Sequence, residues 1–202
     1  TIRIASYNLL NYPGSDASTR NPYFRRVIHT MKPDILVCQE VQSQSGVDNF
    51  RNNVLNIYQS GLYSSATFND GFDTDNSLFY KSNKVEFISA SYIQTDLRDI
   101  AEYIVRILSS NDTLRLYSLH LKAGNTSSDE QQRLTEATTL RNYLNGLSSG
   151  TQFLVTGDFN TYSSSDLGLQ KLLESETDND GRSKDPLNSV GTWNNNSAFA
   201  SI

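Results

Sequence analysis

Between residues 62 and 121 the chain carries five consecutive strand-like segments, at 62–68, 77–81, 84–94, 102–109 and 113–121. Tyr, Phe, Ile and Val are concentrated in them, and Asn, Asp, Gly and Ser fill the gaps. Helix and strand patterns flank this run on both sides. Upstream, "TIRIASYNLL" alternates as a strand, and "NPYFRRVIHTMKPD" places Phe24, Val27, Ile28 and Met31 at helical spacing up to Pro33. "DILVCQE" is a short apolar strand ending on an acid. "SGVDNFRNNVLNIY" reads as a helix opened by Ser45 and Asp48. Downstream come a helix with a Leu134, Ala137, Leu140, Leu144, Leu147 stripe, the strand "TQFLVTG", the short helix "SDLGLQKLLES" and a polar loop over 176–191. The order β-α-β-α, strands, α-β-α is neither strict alternation nor all-β. Two packed sheets with helices outside would absorb it. No repeat or linker interrupts residues 1–202, which predicts a single domain.

Composition narrows the chemistry. A net charge of −5 excludes a broad basic face for nucleic acid, so contact with a polyanion has to be local or aided by a cation. Eleven Tyr and nine Phe supply enough apolar area to order the chain. Cys38 is the sole cysteine, which rules out an internal disulfide and predicts a buried small hydrophobe. One Cys and two His without H-E-x-x-H make a zinc site a poor fit. No apolar run reaches the length of a membrane span.

Polar groups collect where strands break into loops. Asn8 ends the first strand, Glu40 ends "LVCQE", His120 lies in "LYSLHLK", and Asp158 and Asn160 end "FLVTGDFN". Any one of them alone is a common turn former. Together they are hard oxygen ligands plus one imidazole, a set that suits Mg²⁺ with water and phosphate in its shell. At i and i+2 of an extended segment, Asp158 and Asn160 would face one side.

"SYNLL", "PDILVCQEV", "LFYKSNKVEF", "LYSLHLKAG" and "FLVTGDFNT" resemble, in order and over nearly the whole chain, the signatures of the endonuclease/exonuclease/phosphatase superfamily. The resemblance implies an α+β fold, the four-layer α/β/β/α sandwich of deoxyribonuclease I-like proteins, and a Mg²⁺-dependent phosphoesterase, with Mn²⁺ or Ca²⁺ as alternative ions. It implies Glu40 as the main metal ligand, with Asn8 beside the metal. Asp158 would orient or deprotonate the attacking water, Asn160 would donate to the scissile phosphate, and His120 would contact phosphate and protonate the leaving group. Arg98 matches a phosphate-binding Arg, Asn76 an active-site polar or aromatic position, and Trp193 a substrate-side loop. The implied partner is a phosphoester, nucleic acid among the options.

The family's last motif, an Asp with a His on a late strand, has no counterpart before Ile202, and His29 lies in the first helix. The expectation is therefore a chain lacking the fold's C-terminal strands, either hydrolytic or reduced to a catalytically impaired phosphate- and metal-binding module. Phe153 and Tyr162 replace the Trp and Arg of inositol phosphatases, and Val41-Gln42 replaces the Thr-Lys of abasic-site enzymes. A deoxyribonuclease-like or uncharacterised branch remains, secreted or periplasmic, with lipid phosphodiester cleavage a further alternative. The acidic stretches 69–76 and 176–185 do not match a twelve-residue Ca²⁺ loop and read as solvated turns. Lys81, Lys84, Lys122 and Arg133 read equally as a phosphate track or as a scattered surface.

Overall fold

A computed structural model describes residues 1–199. Its element order is β1 (Ile4–Tyr12), α1 (Ala17–Met31), β2 (Ile35–Val41), α2 (Gln44–Phe50), β3 (Tyr63–Ser65), β4 (Asp75–Lys81), β5 (Val85–Ile93), β6 (Ile100–Ile107), β7 (Asp112–His120), α3 (Ser127–Asn145), β8 (Phe153–Asp158) and α4 (Leu167–Leu173). These residues form two compact units. The first comprises 1–94, 98–120 and 152–158, and the second 95–97, 121–151 and 159 onward. No described helix is long and apolar enough to cross a membrane.

In the first unit two four-stranded sheets run β1-β2-β4-β3 and β5-β6-β7-β8. Each sheet is antiparallel except for one parallel edge pair, β1 with β2 and β7 with β8. Strand alternation sorts the side chains into two cores. Ile35, Val37 and Leu78 of the first sheet meet Ala101, Tyr103, Val105 and Leu116 of the second. On the opposite face, Leu36, Cys38 and Phe79 pack with Phe24 and Ile28 of α1 and with Val47 and Phe50 of α2. Cys38 is fully buried there, as its apolar run predicts.

α1 begins four residues ahead of the predicted Asn21, because the Asp16 carbonyl accepts from Thr19 and Arg20 N–H and so starts a turn that Pro22 does not interrupt. Its end is as expected: Lys32 takes a left-handed conformation (φ 48°) before Pro33. α2 is capped by Ser43, whose hydroxyl accepts from Gly46 N–H, rather than by Ser45, and it continues as a π-helical turn over Arg51–Leu55.

Asp34, 4% exposed, accepts from Lys81 and Lys84, both at 2.9 Å, and from Arg3 N–H. Burial raises its pKa, but these donors outweigh burial and hold the carboxyl down at about 2. The sign follows: a depressed carboxylate stabilises the fold above its unfolded pKa, and the contribution is lost as pH falls through the folded value. Asp34→Asn should cost about 2 kcal/mol at neutral pH, shrinking between about pH 4 and pH 2. Urea denaturation across that range checks it; a pH-independent difference would exclude the linkage.

In the second unit α3 opens with a capping box, Thr126 accepting from Asp129 N–H while the Asp129 carboxylate accepts from Thr126 N–H. The expected stripe is only half right. Ala137, Leu140 and Leu144 are buried, but so are Arg133, Glu136 and Arg141, while Leu134 and Leu147 are only partly covered. The buried guanidinium of Arg133 pairs with Asp166 at 2.7 Å, and that of Arg141 donates to carbonyls of Leu172, Glu174 and Asp178. Residues 176–191 hold no helix or strand.

Candidate functional site

The site grows from the C-terminal ends of four strands in the first unit, two from each sheet. Asn8, at the last regular pair of β1 with β2, and Glu40, next to the end of β2, lie on parallel neighbours, and His120 and Asp158 are register partners on parallel β7 and β8. In a parallel pair, side chains at paired positions face the same way, so β7 and β8 present imidazole and carboxylate side by side.

Glu40 needs a special backbone. Along β2, Ile35 and Val37 face the second sheet and Leu36 and Cys38 face the helices, so strict alternation would turn residue 40 toward the helices. Instead Glu40 sits at φ 60°, at a break in the β2–β4 register between Cys38 and Val41, and Val41 resumes on the helix side. This bulge removes Glu40 from the alternation. A left-handed glutamate is disfavoured by about 1–3 kcal/mol, and such strain concentrates at functional positions. Leu10 and Asn11, also left-handed (φ 50° and 53°), curl the end of β1 back over it, and Asn11 N–H donates to Glu40 Oε2 at 3.0 Å.

Glu40, His120 and Asp158 each offer one ligand atom, and these three atoms lie within 4.8 Å of one another. Asn8 Nδ2 sits between the carboxylates, donating to Glu40 Oε1 at 2.8 Å and to Asp158 Oδ2 at 2.9 Å. Its Oδ1 accepts from Leu10 N–H, which fixes the orientation of the amide. His120 Nε2 is 3.7 Å from Glu40 Oε1 and 4.0 Å from Asp158 Oδ2, while its buried Nδ1 has no hydrogen-bond partner among the described residues. Burial first, and the Arg98 guanidinium second, lower the imidazole pKa against the pull of Asp158 and Glu40. A neutral ring is thereby favoured at pH 7.

The residue set fits a hard divalent ion. Two ionised carboxylates at this spacing repel each other, and the amide that joins them is neutral. A hard divalent ion would offset that repulsion at the carboxylate oxygens, and a neutral imidazole would be an acceptable further ligand for an ion such as Mn²⁺.

Other expected residues are placed as follows. Arg98 Nε pairs with Asp73 Oδ2 at 2.9 Å, and Nη1 reaches toward the His120 carbonyl at 3.5 Å, which puts the guanidinium at the edge of the cluster. Asn76 is 5% exposed and turns inward: its Oδ1 accepts from Ser118 at 2.6 Å and its Nδ2 donates to the Asp99 carbonyl at 3.2 Å. Asn160 belongs to the second unit. At φ 50° it lies past the end of β8, so the i, i+2 alternation does not set its direction; its Nδ2 donates to the Leu121 carbonyl. Trp193, also in the second unit, is partly buried and donates from Nε1 to the Ser189 carbonyl. Lys81, Lys84, Lys122 and Arg133 are each engaged by a carboxylate, and Arg133 is buried rather than on the surface.

Residues that sequence reasoning missed lie between the sheets. Gln39 Nε2 donates to Ser118 Oγ at 3.1 Å, Ser118 continues to Asn76, and Ser6 donates to Gln39 Oε1. This chain ties the strand that carries Glu40 to the strand that carries His120. Its one sequence signal was a Gln at a core-facing position of an otherwise apolar strand.

A sequence profile of the Endonuclease/Exonuclease/phosphatase family matches residues 5–200. The chain therefore belongs to that family, whose fold supports phosphoesterases and nuclease-like hydrolases. Solved structures agree on the fold. A humanised D. rerio TDP2 is 17% identical with a TM-score of 0.63, over 81% of this chain and 64% of that one. A mannosyl-6-phosphatase from Bacteroides thetaiotaomicron is 17% identical with a TM-score of 0.64, over 85% and 69%. The human Nocturnin catalytic domain with bound sulfate is 20% identical with a TM-score of 0.64, over 92% and 77%. The chain spans 62–64% of the length of the D. rerio TDP2 structures it matches. No curated protein sequence matches it.

Proposed function

We propose that this protein is a metal-dependent phosphoesterase that hydrolyses phosphodiesters with an activated water. One observation carries the reading: two carboxylates from different sheets converge within ligand distance and share a single neutral amide donor.

When bound, Mg²⁺ (or Mn²⁺ or Ca²⁺) would supply charge stabilisation on the phosphoryl oxygens. Glu40 would hold it, with Asp158 as a shared contact; Asn8, expected beside the metal, turns its Nδ2 to both carboxylates while its Oδ1 is held by Leu10 N–H, so it would orient the ligands. The remaining work falls to the chain. Asp158, tethered by Asn8, accepts a proton from the attacking water. His120, kept neutral by burial, contributes a directional hydrogen bond at the leaving oxygen, and Arg98, at the edge of the cluster, is assigned the phosphate contact by its motif. Asn160 is assigned the phosphate-donor role by its motif, with a shift of its amide from the Leu121 carbonyl. The bond from Ser118 to Asn76 supports a positioning role for Asn76. The nucleic-acid option has support from a D. rerio TDP2 relative solved with a single-strand DNA product.

Hydrolysis of plasmid DNA, of bis-p-nitrophenyl phosphate and of a panel of sugar and lipid phosphoesters, with Mg²⁺ or with EDTA, tests the proposal. Turnover with Mg²⁺ that EDTA abolishes is expected. No metal-dependent turnover on any member of the panel rejects it.

A further inference from the structure

A second feature of the first unit is cationic and lies at the other end of β2, about five residues or 17 Å along the strand from Glu40. α1 contains Arg20, Arg25, Arg26 and His29 and not one Asp or Glu, in a chain whose net charge is −5. At its C-terminal half, Arg25 and His29 lie one turn apart on one face, and with Lys32, the residue that caps the helix, they line a groove of about 270 Å³. Ile28 and Leu55 form part of its apolar lining, and Tyr58 stands at its wall. No acidic residue lines it. Lys81 also lines it but is neutralised by Asp34.

Two details distinguish this groove from a scatter of solvated lysines. Arg25 is half-buried, and its Nε is fixed on the Asn53 carbonyl, so its outer N–H groups are held in place without a carboxylate partner among the described residues. Tyr58, 74% exposed, meets the His29 ring edge-on at 5.8 Å, so an aromatic face is presented beside the cations. Fixed guanidinium, ammonium and an exposed ring make up the recognition set for a phosphate backbone with unstacked bases. A groove seats a strand, whereas an anionic lipid surface is met by a convex face.

We infer that this groove is an exosite for single-stranded nucleic acid, with Arg25 and Lys32 on backbone phosphates and Tyr58 stacking on a base. The inference rests on the phosphoesterase reading and deepens it by naming the polymer that would carry the scissile diester. Local cationic binding is what a net acidic chain requires if it is to hold a polyanion.

The experiment is fluorescence anisotropy of a 5′-fluorescein oligothymidylate in EDTA, over a salt series, with bis-p-nitrophenyl phosphate turnover measured in parallel with Mg²⁺. Wild type should bind. Arg25→Gln/Lys32→Gln should bind about tenfold or more weakly at low salt, with a log–log salt slope shallower by about 1.4, two contacts at about 0.7 each for single strands. Tyr58→Ala, which removes no charge, should weaken binding about fivefold or more, the low end for one lost base stack, with the salt slope unchanged. Arg106→Gln, on β6 and paired with Glu86, removes one positive charge outside the groove and should leave affinity within twofold, roughly the residual long-range effect of one exposed charge. All three should keep small-diester turnover. Unchanged affinity in both groove variants overturns the exosite, as does binding to phosphatidylserine vesicles in place of the oligonucleotide. Retained turnover with unchanged affinity rejects the exosite alone; groove-dependent binding without any turnover rejects the phosphoesterase reading alone.

Discussion

Glu40→Gln should reduce metal-dependent hydrolysis to background and weaken divalent-ion affinity by more than the about 10–100-fold that loss of an outer partner costs. The substitution keeps shape and removes charge. Glu40 Oε1 and Oε2 accept from Asn8 Nδ2 and Asn11 N–H, so a Gln keeps one bond and sets a donor against a donor at the other, a cost of about 1 kcal/mol. Relief of repulsion with Asp158 works in the opposite direction, and the thermal midpoint of the ion-free protein should hardly move. Asp158→Asn should lower turnover about 10²–10⁴-fold, the span of a lost general base, with a smaller effect on ion affinity. Calorimetric titration with Mn²⁺ beside steady-state kinetics separates the two roles. A Glu40→Gln variant with wild-type rate and ion affinity would remove Glu40 from the site altogether.

The second large effect is structural. Gly157 lies at φ 134°, and a Cβ there would come within 2.0 Å of the Leu119 carbonyl oxygen and 2.8 Å of its nitrogen. Both obstacles are backbone, so no rotamer relieves the clash. Gly157→Ala must push β8 away from β7 at the pair next to His120 and Asp158. The loss should exceed about 4 kcal/mol, a size confined to a few mechanisms, here strand separation added to backbone strain. Urea denaturation measures it, and a midpoint within error of wild type would show that the close approach is not required. Gly150, also left-handed (φ 83°) but with nothing near its Cβ position, is the contrast: Gly150→Ala should cost only local strain of about 1 kcal/mol.

These two residues mark how far the sequence could be read. "GDFN" singled out Asp158 through its motif, but Gly157 stood out only as the last residue of the strand "TQFLVTG", because the atom it must avoid belongs to a strand 38 positions earlier in the chain (157 − 119). The apolar run "DILVCQE" identified β2 and its acid. That Glu40 escapes the helix-facing side follows from a bulge set by pairing with β4, which alternation within β2 cannot reveal. Helix α3 shows the same limit. Its leucines were visible at helical spacing, whereas burial of Arg133 and Arg141 depended on Asp166 and on carbonyls around α4 arriving to meet them.

Read alone, the primary structure determined the order of strands and helices and the family, and pointed to Asn8, Glu40, His120 and Asp158 as candidates, because periodicity and short motifs are written in neighbouring residues. Only the tertiary structure decided that Asn8 bridges two carboxylates 118 positions apart (158 − 40), that Asn76 turns inward to Ser118, and that Arg25, Lys32 and Tyr58 border one groove. Those facts depend on register between strands and on which backbone atoms come close, and both are set by packing across the whole sheet.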